Sequence, residues 1–79
     1  MEADGLTDAD VALAFARCEM ANGGWPPTLG EVSARLGRAR STIHQRLARM
    51  VAAGLLETRA YGRGAVYRAT SLGLAEPRE

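Results

Sequence analysis

The sequence predicts a mainly α-helical fold closed by one small β-hairpin, and three observations carry that prediction. Between residues 7 and 53, apolar side chains recur at helical spacing in three separate runs. Each run is bounded by capping or breaking residues where a helix would start or stop. After Gly54 the pattern changes: LLETRAYGRGAVYRAT reads as two strands around the turn Tyr61-Gly62-Arg63-Gly64.

The first helix begins after Thr7, whose hydroxyl caps it with Asp10 as the reciprocal partner of a capping box. Asp8 and Asp10 also favour the positive end of the helix dipole. The helix is expected to run to about Asn22, with Val11, Phe15 and Cys18 as its core stripe and Ala14 beside them. A second apolar stripe lies opposite: Ala9, Leu13, Ala16 and Met20 fall within roughly 60° of one another at about 100° per residue. A helix of so small a domain seldom needs two apolar faces. The second is expected to be covered by the C-terminal segment, by another protomer, or by both. Residues 22–27, NGGWPP, form a breaker cluster and read as a turn from which Trp25 folds back on the core as a lid.

The second helix starts at Thr28, boxed with Glu31, and sets Leu29, Val32 and Leu36 on one face; Gly37 ends it in the left-handed conformation. The third spans about Ala39 to Ala53, with Ile43, Leu47 and Met50 turned inward. Ala39 is a poor cap, and Ser41 is a competing start. In the hairpin, Leu56, Val66 and one tyrosine face inward. Thr70 to Ala75 form a short helical turn before Pro77, and packing against the second face of the first helix gives Leu72 and Leu74 a place. Residues 1–6 and 76–79 are read as disordered, which leaves one domain over residues 7–75.

At 79 residues the chain has room for one small domain, marginal on its own. Fifteen of the apolar residues are Ala, so large core formers are few and the core is expected to be thin. A single cysteine allows no internal disulfide, and no His/Cys cluster has metal-ligand spacing, so no metal or cofactor is expected. No run has the length of a membrane span or a signal peptide, and the chain is read as soluble and cytoplasmic. Cys18 and His44 fall on different helices, Cys18 on the core face, which argues against a Cys-His nucleophile and against an enzyme.

The net charge of +1 hides a strong asymmetry. Residues 1–34 carry one Arg against six acids; residues 35–68 carry eight Arg against Glu57, a formal +7. All ten basic residues are Arg, the side chain suited to bidentate phosphate and guanine contacts. The charge is concentrated where a nucleic acid would lie, from the end of the second helix through the hairpin; helix, tight turn, helix is a unit that lays its second helix in a DNA major groove. With Ile43 as the buried direction, the outward arc of the third helix holds Ser41, His44, Gln45, Ala48 and Arg49, flanked by Arg40 and Thr42. Arg and Gln have bidentate matches to guanine and adenine, and Ser or Thr meet bases or phosphates. Arg59, Arg63 and Arg68 lie on or near the hairpin, where a wing touches phosphates or the minor groove.

The segment PPTLGEVSARLG at residues 26–37, followed by STI at 41–43, Leu47, Met50 and GLLE at 54–57, resembles the DNA-binding domain of LexA-type repressors. It also resembles the wider winged helix-turn-helix repressors of the MarR and ArsR kind. YRATSLG at 67–73 is similar to the strand-to-helix junction after the wing in that wider group, so the resemblance covers about residues 7–73. Two departures separate the chain from LexA itself. LexA-type repressors carry a self-cleaving domain with a Ser-Lys pair, whereas this chain has no lysine, and its turn before the third helix is about one residue shorter. A stand-alone small regulator is therefore expected.

Carried over by position, the resemblance implies base reading by Ser41, Thr42, His44 and Gln45 and backbone or groove contacts by Arg40, Arg49 and Arg63. Together with the chemistry of the arc, the candidate base-reading set is Arg40, Ser41, Thr42, His44 and Gln45. The backbone and wing set is Thr28, Arg38, Arg49, Arg59, Arg63 and Arg68. The expected function is that of a sequence-specific regulator, a repressor, binding double-stranded DNA at a palindromic operator as a homodimer. The dimer interface is placed on Leu13, Met20, Leu72 and Leu74. The rival reading is a winged-helix module that binds a protein and no nucleic acid. The +7 segment favours DNA, while the small net charge keeps the rival open.

Overall fold

The computed structural model describes residues 5–75; residues 1–4 and 76–79, most of the two expected disordered tails, lie outside the described residues. The order of elements is α1 (Asp8–Ala21), α2 (Leu29–Leu36), α3 (Arg40–Ala52), β1 (Leu56–Tyr61), β2 (Gly64–Ala69) and α4 (Ser71–Leu74). This is the three-helix winged helix-turn-helix arrangement with a short C-terminal helix.

Local chemistry sets each boundary. The Asp10 amide donates to the Thr7 hydroxyl at 3.1 Å and the Thr7 amide donates to the Asp10 carboxylate at 3.2 Å, so α1 opens on a complete capping box. Thr28 and Glu31 repeat the device at α2, and Gly37, at φ +66°, ends that helix. Helix α3 differs: Ala39 stands at its N-cap with no side-chain hydrogen bond, and the competing start at Ser41 is not used. Its register is set instead by burial of Ile43, Leu47 and Met50, each exposed by no more than 1%. These three meet Val11 and Phe15 of α1 and Val32 of α2 in one core. Leu6 joins them, one residue before the expected start of the domain.

The two strands pair antiparallel from Leu56↔Ala69 to Tyr61↔Gly64, which leaves a two-residue turn, Gly62-Arg63. Gly62 has φ +59° and Arg63 does not share the left-handed region, the pattern of a II′ turn with glycine at its first central position. Leu56 and Val66 are buried, and Tyr67 is the inward tyrosine, its ring edge-on to Phe15 at 5.6 Å. Strand β2 also has a neighbour on its other side. Thr28 bridges Val66, and the Tyr67 amide donates to the Pro27 carbonyl at 3.1 Å. A proline can serve there because only its acceptor is used.

Trp25 does not fold back on the core. It is 55% exposed and packs edge-on against Tyr61 of the hairpin at 5.5 Å. Pro27 is the fully buried residue of this turn, and its carbonyl is tied to β2, which leaves residue 25 on the outer side.

Helix α4 is locked by Thr70, whose hydroxyl donates to the Gly54 carbonyl at 2.6 Å and accepts from the Gly73 amide at 3.0 Å. Gly73 is buried, and a Cβ there would collide with the backbone carbonyl of Leu55. Thus seated, α4 packs on α1 and covers part of its second stripe. Ala9 is buried and Leu13 and Ala16 are half-buried, while Met20 is 78% exposed, Leu72 54% and Leu74 52%.

Candidate nucleic-acid interface

With Ile43, Leu47 and Met50 holding α3 to the core, the opposite side of that helix is open. Arg40, Ser41, Thr42, His44, Gln45, Ala48 and Arg49 are all exposed, so the arc read from helical periodicity is brought together on one face. His44 and Ala48 border a shallow groove shared with Thr58 and Tyr67 of the hairpin. A polar helical face beside a hairpin offers bidentate donors to base edges and cations to phosphates.

The arginines between Arg38 and Arg68 divide into two groups; Arg17 of α1 and Arg35 of α2 are exposed as well and form no ion pair with a described acid. Asp8 at the start of α1 accepts from Arg46 at 2.9 Å and from Arg49 at 3.0 Å. Arg49 remains 64% exposed, whereas the Arg46 side chain is only 11% exposed and is structural. Arg46 was not among the residues singled out from the sequence; its place beside Ile43, Leu47 and Met50 on the inner half of α3 is the signal for it. On the hairpin, the Nε of Arg68 donates to both carboxylate oxygens of Glu19, at 3.0 and 3.1 Å, which ties this arginine to α1. Arg38 is half-buried and engaged, one contact being a 3.5 Å bond to the Leu36 carbonyl.

The second group comprises Arg40, Arg59 and Arg63. All three are exposed and none forms an ion pair with a described acid. Arg63 sits in the two-residue turn at the tip of the wing. Arg40, first residue of α3, borders an open groove of about 430 Å³ together with Thr28, Leu29 and Gly30 of α2 and Tyr61, Gly64 and Ala65 of the wing. The Thr28 hydroxyl is committed to its cap: it accepts from the Glu31 amide, and the Thr28 amide donates to the Glu31 carboxylate at 2.8 Å. That backbone donor holds Glu31 below the usual carboxylate range, so the cap is charged at neutral pH. Burial pushes the Cys18 thiol up, so it stays protonated and inert among its apolar neighbours. Among the described residues no cluster of His, Cys, Asp or Glu could hold a metal ion, and no helix is long and apolar enough to cross a membrane.

No curated protein and no solved structure matches the chain. The family model of the IclR helix-turn-helix domain matches residues 14–60, from the middle of α1 through most of β1. The kinship with winged helix-turn-helix bacterial regulators expected from the motif holds at that level; the branch that matches is IclR, and not the LexA, MarR or ArsR groups named from the motif. The matched span contains α2, its glycine turn and α3, the elements that build the polar face. The chain belongs to the IclR helix-turn-helix family of DNA-binding domains of transcription regulators.

Proposed function

We propose that this domain is a sequence-specific repressor that sets α3 in the major groove of double-stranded DNA and the wing on the backbone or in the minor groove. The observation that carries the reading is the division of the arginines. On α3 and the hairpin, Arg46, Arg49 and Arg68 are paired with Asp8 and Glu19, whereas Arg40 at the start of α3 and Arg59 and Arg63 along the wing form no ion pair with a described acid. Ser41, Thr42, His44 and Gln45 read base edges; Arg63, Arg59 and the exposed part of Arg49 contact phosphate or groove, with Thr28 and Arg38 flanking the backbone and Arg68 held back by Glu19. Occupancy of an operator then blocks transcription nearby, and the domain works where the chromosome lies, in the cytoplasm.

A homodimer on a palindromic operator completes the reading. A single module has a small contact area and limited affinity. The partly covered stripe of α1 with Met20, Leu72 and Leu74 offers a self-complementary apolar face. The exposed Trp25–Tyr61 pair favours a second reading, a protein-binding winged helix, because aromatic side chains are enriched at protein interfaces.

Fluorescence anisotropy of a labelled mixed-sequence duplex over a salt series decides between them. DNA binding is expected, with log affinity falling against log salt at a slope equivalent to roughly three to six phosphates per protomer. Absence of binding at low salt sinks the DNA reading in favour of the protein partner. Replacement of Gln45 and Ser41 by Ala in a binding-competent protein should erase preference for a selected operator while helical content is unchanged; retained preference removes them from base reading. Met20→Glu should halve the sedimentation mass of a dimer.

A further inference from the structure

Resting on that DNA-binding reading, a second assignment concerns how one arginine is aimed. We infer that Gly30 is a positioning residue: its missing side chain seats the Arg40 guanidinium across the first turn of α2, in the groove beside the wing, where it meets a DNA phosphate and not a base edge.

Gly30 is the second residue of an eight-residue helix and has no conformational need to be glycine, since its φ is not positive. Glycine there weakens the helix relative to alanine. What it provides is space. A Cβ at this position would stand 2.7 Å from Nη2 of Arg40, 3.3 Å from Cζ and 3.4 Å from Nε, and these guanidinium atoms are the three nearest. The guanidinium thus lies against the first turn of α2, at the flank of the outward arc that carries Ser41, His44 and Gln45.

The electrostatics point the same way. Arg40 is a cation at the N-terminal end of α3 and lies over the N-terminal turn of α2, where two helix dipoles disfavour positive charge. The acid of that turn, Glu31, is taken up by Thr28 and Asn22 and makes no ion pair with Arg40. An anion laid against the groove relieves this arrangement, and a phosphate takes the charge-assisted hydrogen bonds that the guanidinium offers.

The test uses the full chain and a labelled mixed-sequence duplex, with wild type, Gly30→Ala, Arg40→Ala, Arg40→Lys and the Gly30→Ala/Arg40→Ala double variant compared by anisotropy over a salt series and by thermal melting. Gly30→Ala is expected to melt at or above the wild-type temperature yet bind about tenfold more weakly, with the salt slope lower by about one. Arg40→Ala should match it, the double variant should be no weaker than Arg40→Ala, and Arg40→Lys should retain the slope. Wild-type affinity in a folded Gly30→Ala protein, or losses that add in the double variant, overturns the positioning role. Should Gly30→Ala fail to fold, the Arg40→Ala and Arg40→Lys pair still decides the phosphate assignment. A loss seen on a selected operator duplex run in parallel but absent on the mixed duplex makes Arg40 a base reader and overturns the phosphate assignment. A wild-type protein that binds no duplex at low salt sinks the DNA reading and the inference with it.

Discussion

Gly30 and Gly73 are each crowded where a side chain would begin, but different things crowd them. Gly73 faces the backbone carbonyl of Leu55, which cannot move without dislodging α4, whereas Gly30 faces the far end of one flexible arginine. A like contrast separates two sets of arginines. On the α1 and α4 side, Asp8 and Glu19 tie arginines of α3 and β2 into the fold. Arg40 at the start of α3 and Arg59 and Arg63 of the wing form no ion pair with a described acid. The paired arginines hold elements together, while Arg40, Arg59 and Arg63 make no such tie.

The largest expected effect is at Gly73. Gly73→Ala should destabilise the domain by about 2 kcal/mol, or roughly 8–16 °C in melting temperature, because backbone must shift to admit the methyl group. A melting temperature equal to that of Gly30→Ala would erase the contrast between the two glycines. Next comes Asp8→Asn, which removes a carboxylate partner of the nearly buried Arg46. It should cost about 1 kcal/mol in urea unfolding and, by releasing Arg49, raise affinity for a mixed duplex severalfold. Unaltered affinity would mean that Arg49 already reaches phosphate through its exposed portion.

A smaller effect separates two arginines of the hairpin. Glu19→Gln should change stability by less than about 1 kcal/mol, since the pair is partly exposed. Arg68→Ala should leave the salt slope of DNA binding intact, whereas Arg63→Ala lowers it by about one. The smallest effect belongs to the cap of α2. Glu31 has its carboxyl held below the ordinary 4.5 by the Thr28 amide, so its contribution to stability is complete above that value and is lost as pH falls through the lower, folded one. Melting curves between pH 6 and pH 3 should show this loss in the wild type, and Glu31→Gln should lack that part of the dependence.

What the sequence discloses is what neighbours along the chain decide. The Thr7/Asp10 and Thr28/Glu31 boxes, the left-handed Gly37 and the two strands around Gly62-Arg63 depend on residues within a turn of one another, and each is legible. The exposed arc of α3 follows from periodicity once Ile43 is taken as buried. The ties between Asp8 and Arg46, Asp8 and Arg49, and Glu19 and Arg68 join positions 38, 41 and 49 residues apart, and only the packed fold brings them together. For that reason counting arginines overstated the charge open to a partner. The Thr28–Val66 bridge follows directly on a segment whose prolines read as a pure breaker, and nothing in that turn hints that Pro27, not Trp25, fills the place in the core. Gly30 is opaque for another reason: alanine would suit the helix better, and only the arginine lying over it explains the choice.

Strand β1 has β2 on one side and no described backbone partner on the other, for the isolated bridge at Thr28 falls on β2. Its outer rim of amide and carbonyl groups is therefore open to a strand from another molecule, the usual start of edge-to-edge aggregation. Glu57 and Arg59 place opposite charges two residues apart along that strand, and a second copy added parallel and in register would bring like charges together. Arg59 then has a part in solubility as well as in the proposed contact with DNA, and a variant that replaces both Glu57 and Arg59 by apolar residues should precipitate at a lower concentration than the wild type.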